Sequence, residues 1–281
     1  MPLSDEEIIA LSREGLIAGP EESQSDFEKR VLYCKGLEKE LDLPAADVTE
    51  SHPMTKKWFD TEPGWVPCFF SNHQLSYWQG GCAWIFQKDD KTPTGAFLQL
   101  RKTFERQKTF LGIYKRDEFI AHELCHVGRM MFEEPKFEEV LAYQTASSSF
   151  QRYFGPILRT SGEAILFAVI LMMIILIDVM TLAAGSFSLY EHLMWLKLVP
   201  LAMILFALIR LIWTRRQFVR CRSSLNRTLA SEERVNAVIY RLTDREIEEF
   251  QNMSPKEIRA YGQRMAGEEI RWTQILAYFT A

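Results

Sequence analysis

The chain is 281 residues long, 47% hydrophobic and 25% charged, with a formal net charge of -4. That length has room for one modest soluble domain plus accessories, and the slight acidity gives no footprint for nucleic acid. Its five cysteines (Cys34, Cys68, Cys82, Cys125, Cys221) are odd in number and lack paired spacing, which argues against a disulfide framework and suits free thiols in a reducing compartment.

The first residues, MPLSDEEIIALSREG, show no basic start followed by an apolar run, so no cleaved secretory signal is expected. Ser4-x-x-Glu7 is a capping box ahead of Ile8, Ile9 and Leu11, and Gly19-Pro20 is expected to stop that helix. A second helix is predicted over 25–41, with Phe27, Val31, Leu32 and Leu37 on its apolar side. Such helices either cover a core or occlude a cleft, and both readings stay open. Residues 42–66 are irregular, with Pro44, Pro53 and Pro63. Strand-like runs follow at 65–70, 82–86 and 96–100, separated by Gly80-Gly81 and the turn residues 88–95. They predict a small antiparallel sheet. His73 is a lone loop histidine, a residue type that is usually neither ligand nor oxyanion donor.

The stretch Glu118–Tyr143 carries the chemistry. His122-Glu123-Leu124-Cys125-His126 matches HExxH, and on a helix residues four apart share a face. His122 and His126 can therefore aim at one tetrahedral zinc while Glu123, one step round, faces the water it would hold. Asp117 is the expected N-cap. Ile120, Leu124, Val127 and Met131 make a buried stripe away from the histidines, and Cys125 is a small packing residue that points off their face. A hydrolytic zinc needs a third protein ligand. HExxHxxGxxH/D would supply one, but Arg129 and Phe132 occupy its glycine and final positions. The remaining candidates are Glu133, Glu134, Glu138 and Glu139. The first two sit in the break before Pro135, after which a second helix over 136–143 is predicted.

This arrangement resembles the gluzincin class of zinc metallopeptidases, in which HExxH is followed by a helix carrying Glu-x-x-(Ala/Ser)-Asp. Glu139-Val140-Leu141-Ala142-Tyr143 fits through its alanine, which favours Glu139 over Glu138 as third ligand. Tyr143 stands where the class has an aspartate. One turn past Glu139, it could orient a ligand, donate to a developing oxyanion, or simply pack. Arg129 is a weaker candidate for the oxyanion or a substrate carboxylate, with an ion-paired arginine as the plainer reading. The resemblance implies an edge strand that holds substrate by strand addition, and 96–100 is the candidate.

Beyond a connection at 151–162, the runs 164–184 and 193–213 are overwhelmingly apolar. At about 1.5 Å per residue each is long enough for a hydrocarbon core of about 30 Å. They predict a transmembrane helical hairpin. Arg152 and Arg159 precede it and Arg215, Arg216, Arg220 and Arg222 follow it, so the positive-inside rule puts both termini in the cytoplasm. Asp178 and Lys197 fall at similar depth and are expected to pair; a homo-oligomer, with Asp178 facing a partner subunit, is the alternative. Pro200 is expected to kink the second span. In the tail, Thr243-x-x-Glu246 and Ser254-Pro-x-Glu257 are capping boxes announcing helices over 245–251 and 255–266, with 268–278 helical as well. The run Arg215–Arg227 is expected at the inner leaflet surface. The tail packs on the rest of the chain or binds a partner.

The resulting expectation is a mainly helical α+β protein. A zincin-like metallopeptidase domain occupies about 1–160, the membrane hairpin 161–214 and a helical region 215–281. Zn2+ would be held by His122, His126 and Glu139, with Glu123 as general base and Tyr143 assisting. The expected activity is endopeptidase rather than exopeptidase, on protein or peptide substrates at the cytoplasmic membrane face. The alternative is a non-catalytic membrane scaffold with a structural or vestigial zinc site, which would have no use for Glu123 as a base.

Overall fold

The computed structural model describes residues 2–40, 46–112 and 114–280, and it is mainly helical with a small sheet. α1 (Asp5–Arg13) starts where expected. Ser4 Oγ accepts from Glu7 N while the Glu7 carboxylate accepts from Ser4 N. It ends well before Gly19-Pro20, because Gly15 takes a left-handed φ of 81° and turns the chain. α2 (Gln24–Glu40) buries Phe27, Val31 and Leu37, but Leu32 points to solvent. α3 (His52–Phe59) leads to the strands β1 (Cys68–Phe70), β2 (Gly81–Phe86) and β3 (Gly95–Leu100).

The sheet order is β1-β3-β2. β2 runs antiparallel to β3, as expected, but β1 runs parallel to it with Cys68 opposite Leu98, so the sheet is mixed. The strand at 96–100, expected at the edge, is central. Ala96, Leu98 and Leu100 are fully buried, and β1 and β2 are the edges. After α4 (Thr103–Arg106), a small hairpin of β4 (Thr109–Phe110) and β5 (Tyr114–Lys115) feeds directly into α5 (Arg116–Gly128). Its N-cap is therefore Lys115. Asp117 lies inside the first turn, where its charge favours the helix dipole.

α5 is the beam between two cores. On one side Ile120, Leu124 and Val127 pack with α1, α2 and the sheet. On the other, Cys125 joins a core made with α6 (Pro135–Ala142) and the C-terminal helices α11 (Glu232–Arg241), α12 (Asp244–Phe250), α13 (Pro255–Met265) and α14 (Ile270–Thr280). The tail thus packs on the rest of the chain, and α1 lies against α14. Both expected capping boxes, at Thr243 and Ser254, are formed. The buried pair Glu246–Arg271, at 2.8 Å with Trp272 Nε1 also donating to Glu246, knits these helices together.

α7 (Ser149–Phe154) leads to α8 (Ser161–Ala183). The chain returns through the short α9 (Phe187–Leu193) and a 3-10 turn at Met194–Lys197 into α10 (Leu198–Leu229). Both long helices have a stretch apolar and long enough to cross a membrane. Their side chains are exposed, Met172 and Phe206 among them, which no core helix of a soluble protein would tolerate over such a length. Asp178 and Lys197 pair at 3.1 Å, as expected. Pro200 falls in the first turn of α10, directly after the 3-10 turn at Met194–Lys197 that interrupts the helical run. A third charge, Arg210, grips Glu163 with both carboxylate oxygens and also donates to Ile157 O. α10 is 32 residues, so about 48 Å long, some 18 Å beyond a hydrocarbon core. The run Arg215–Arg227 continues as helix into the folded part, burying Phe218, Cys221 and Leu225.

Candidate metal centre

α5 presents His122 and His126 on one face. Glu133, at a left-handed φ of 50°, turns the chain, and Pro135 occupies the first turn of α6. α6 folds back against α5 and brings Glu139 between the histidines. His122 Nε2 and His126 Nε2 are 3.3 Å apart, and the Glu139 oxygens lie 3.6 Å from His122 and 3.7 Å from His126. Ligands about 2.0–2.1 Å from a tetrahedral ion sit about 3.3–3.4 Å from one another, so the donors fit one ion. Among the described residues, these three form the one such cluster of histidine, cysteine or carboxylate donors.

Glu138 has a different place. Its Oε1 meets His126 Nδ1 at 3.0 Å, while its Oε2 accepts from Arg129 Nε at 2.8 Å. It orients a histidine from behind, the usual arrangement around metal ligands. Arg129 is buried. Its Nη1 donates to the carbonyls of Tyr240 and Leu242, at 2.6 and 2.9 Å, so the end of α11 anchors the support. An arginine so engaged is an ion-paired positioning group, and its Nη2 lies 4.0 Å from Glu134. Glu133 is exposed and Glu134 accepts from Asp244 N, so neither reaches the donors.

Glu123 lies outside the set of ligand atoms but lines the same cavity as His122 and Glu139. Its Oε2 accepts from Ala83 N, on the outer edge of β2, at 2.8 Å. Tyr143 stacks edge-on against His122, ring centres 4.6 Å apart. Gly155 permits this, since a Cβ there would lie 2.3 Å from the Tyr143 ring. His73 is exposed and remote; its carbonyl accepts from Gln99. A cavity of about 380 Å³ adjoins the site, lined by His122, Glu123, Glu139 and Tyr143 and by Gly80-Gly81 of the sheet edge. A second hollow reaches Glu123 from the other side along Cys82, Ala83 and Ile85.

The charges at this spot are strongly coupled. Burial pushes Glu139 up to about 7; His126 pulls the other way, and Glu123 and Glu138 add to the rise. For His126 burial favours the neutral ring, but the Glu138 hydrogen bond and the charges of Glu138, Glu139 and Glu123 outweigh it and raise it to about 9. His122 is held well below its usual value by burial and by His126. Burial raises Glu123, against the pull of His126 and the Ala83 bond. Three carboxylates and two histidines crowd one half-buried spot, and a bound cation relieves that crowding.

The sequence does not single out Glu138 and Arg129 as a relay to α11, because Tyr240 and Leu242 lie more than a hundred positions away. No protein-family model, curated protein or solved structure matches the chain.

Proposed function

We propose that the protein is an integral-membrane zinc-dependent endopeptidase of gluzincin type. The observation that carries this reading is the open set of three donors, His122, His126 and Glu139, with a second acid, Glu123, beside them but outside the set. A structural site would close its fourth position with another ligand and has no use for such a residue. Zinc bound there would lower the pKa of its water towards about 7 and polarise a scissile carbonyl.

The chain's own residues supply the rest. Glu123, raised by burial, takes a proton from the attacking water and hands it to the leaving amine. Its bond to Ala83 ties it to the edge strand β2, whose outward amides can hold an extended polypeptide by strand addition. Tyr143, lining the cavity beside His122, is the candidate donor to the developing oxyanion. Glu138 and Arg129 fix the His126 ring. The hollows on both sides of Glu123 favour cleavage within a chain over trimming of its end.

The exposed apolar faces of α8 and α10 support insertion in a bilayer, and the arginines at 152, 159, 215 and 216 favour a cytoplasmic site and termini. Substrates are then polypeptides at that membrane face. The test is cleavage of an unfolded polypeptide by the detergent-purified protein beside Glu123→Gln. Hydrolysis lost on chelation, restored by zinc and absent from Glu123→Gln supports the proposal. Equal rates in the two proteins would reject it.

A further inference from the structure

The cavity beside the metal centre is closed on its far side by the start of the first span. Leu158, Arg159, Thr160 and Ala164 line it opposite Glu123 and Tyr143. Trp78, from the loop between β1 and β2, lines the same cavity and is 69% exposed, and its neighbour Tyr77 is 91% exposed. α7 adds Phe150, 70% exposed, whose ring packs on Phe154 at 4.9 Å; Tyr153 packs on Phe154 at 5.0 Å. This aromatic group is level with the foot of the hairpin. Arg215, just past the second span, lies 4.9 Å from the Tyr153 ring and donates to Tyr153 O. The aromatic group on α7 is thus tied to the end of the second span, and Trp78 lines the same cavity as the start of the first.

Single exposed aromatics need no explanation, but a contiguous group joined to membrane helices does. Tyr77, Trp78 and Tyr153 have polar tips, Phe150 and Phe154 are wholly apolar, and Arg215 lies beside Tyr153; these are residue types that settle at the boundary between headgroups and acyl chains.

We infer that this rim sits in the bilayer interface, so that the metal cavity opens at the membrane surface and takes polypeptide segments at the point where they leave the lipid. The inference rests on the reading of the site as a peptidase. Its substrate class is the juxtamembrane segment of a membrane protein, reached without that segment being drawn into bulk water. The geometry also accounts for the Arg210–Glu163 grip and the Arg159–Thr214 bond, which hold the first turn of α8 against the cavity.

The test uses the full chain in lipid nanodiscs, as the inactive Glu123→Gln variant, with nitroxide labels at Tyr77→Cys and Phe150→Cys. Lys256→Cys is the reference. It lies on α13, which packs at Thr228, fourteen residues along α10 beyond Thr214 and so about 21 Å further from the span. Labels at 77 and 150 should be relaxed by oxygen and shielded from a water-soluble chromium complex, while 256 shows the reverse. Equal chromium access at all three positions would overturn the inference, whether or not the protein is a peptidase. In the active protein, bilayer-spanning peptides should be cut within roughly the first five residues, about 17 Å of extended chain. Cuts spread evenly to greater distance would overturn the substrate class while leaving the peptidase reading intact.

Discussion

Glu138→Gln separates the support of the metal centre from its ligands. The side chain keeps its shape but loses the charge shared between His126, at 3.0 Å, and Arg129, at 2.8 Å. A hydrogen bond to a charged partner is worth about 1.5–3 kcal/mol. Loss of an orienting partner costs about 10–100-fold in metal affinity, which is about 1.4–2.8 kcal/mol. The two routes agree. Zinc affinity, measured by competition with a fluorescent chelator, should therefore weaken by about 10–100-fold. Arg129 is buried and keeps its two carbonyl partners but only a distant carboxylate, Glu134 at 4.0 Å, so the metal-free fold should also lose about 2 kcal/mol in denaturant unfolding. Glu133→Gln, at an exposed position in the turn before α6, is the control and should change neither quantity. A Glu138→Gln affinity within about twofold of wild type would refute the idea that this carboxylate positions His126.

Three further outcomes follow from the same contacts. Ligation requires neutral His126 and ionised Glu139, whose protons are held to about 9 and about 7 in the free site. Zinc uptake near pH 6 should release protons from both, near pH 8 from His126 alone, and affinity should rise with pH through that window; calorimetry in buffers of different ionisation enthalpy that shows no such trend counts against the assignment. Gly128→Ala would put a Cβ 2.2 Å from the Tyr240 hydroxyl, which bonds Cys125 O at 2.9 Å. It should destabilise the fold by about 1–3 kcal/mol, read as a lower unfolding midpoint. Glu246→Ala would leave the buried Arg271 only Glu269 and the Arg241 carbonyl and should cost about 1.5–3 kcal/mol; an unchanged midpoint would show that this pair does not tie α12 to α14.

What the sequence discloses and what it hides divide along the range of the interactions. The HExxH face and the capping boxes at Ser4, Thr243 and Ser254 are set by residues three or four apart, and each is where the spacing puts it. The Asp178–Lys197 pair follows from equal depth in a hairpin. The end of α1 does not follow, because Gly15 turns the chain before the stronger-looking Gly19-Pro20. Strand order escapes too. Ala96, Leu98 and Leu100 mark one buried face, which an edge and a central strand share, so the place of β3 between β1 and β2 shows only once the neighbours are known. The role of Arg129 depends on carbonyls contributed by α11, and no local pattern announces it. Arg210 lies inside an apolar run and is intelligible only beside Glu163.

The central claim is that His122, His126 and Glu139 hold one hydrolytic zinc. It is tested most directly by the zinc content of the detergent-purified protein, wild type beside His122→Ala, Glu139→Ala and Glu123→Gln. The account predicts about one zinc per chain in wild type and in Glu123→Gln, and its loss from both ligand variants. No zinc in any sample after refilling with metal, or full retention in Glu139→Ala, would contradict it.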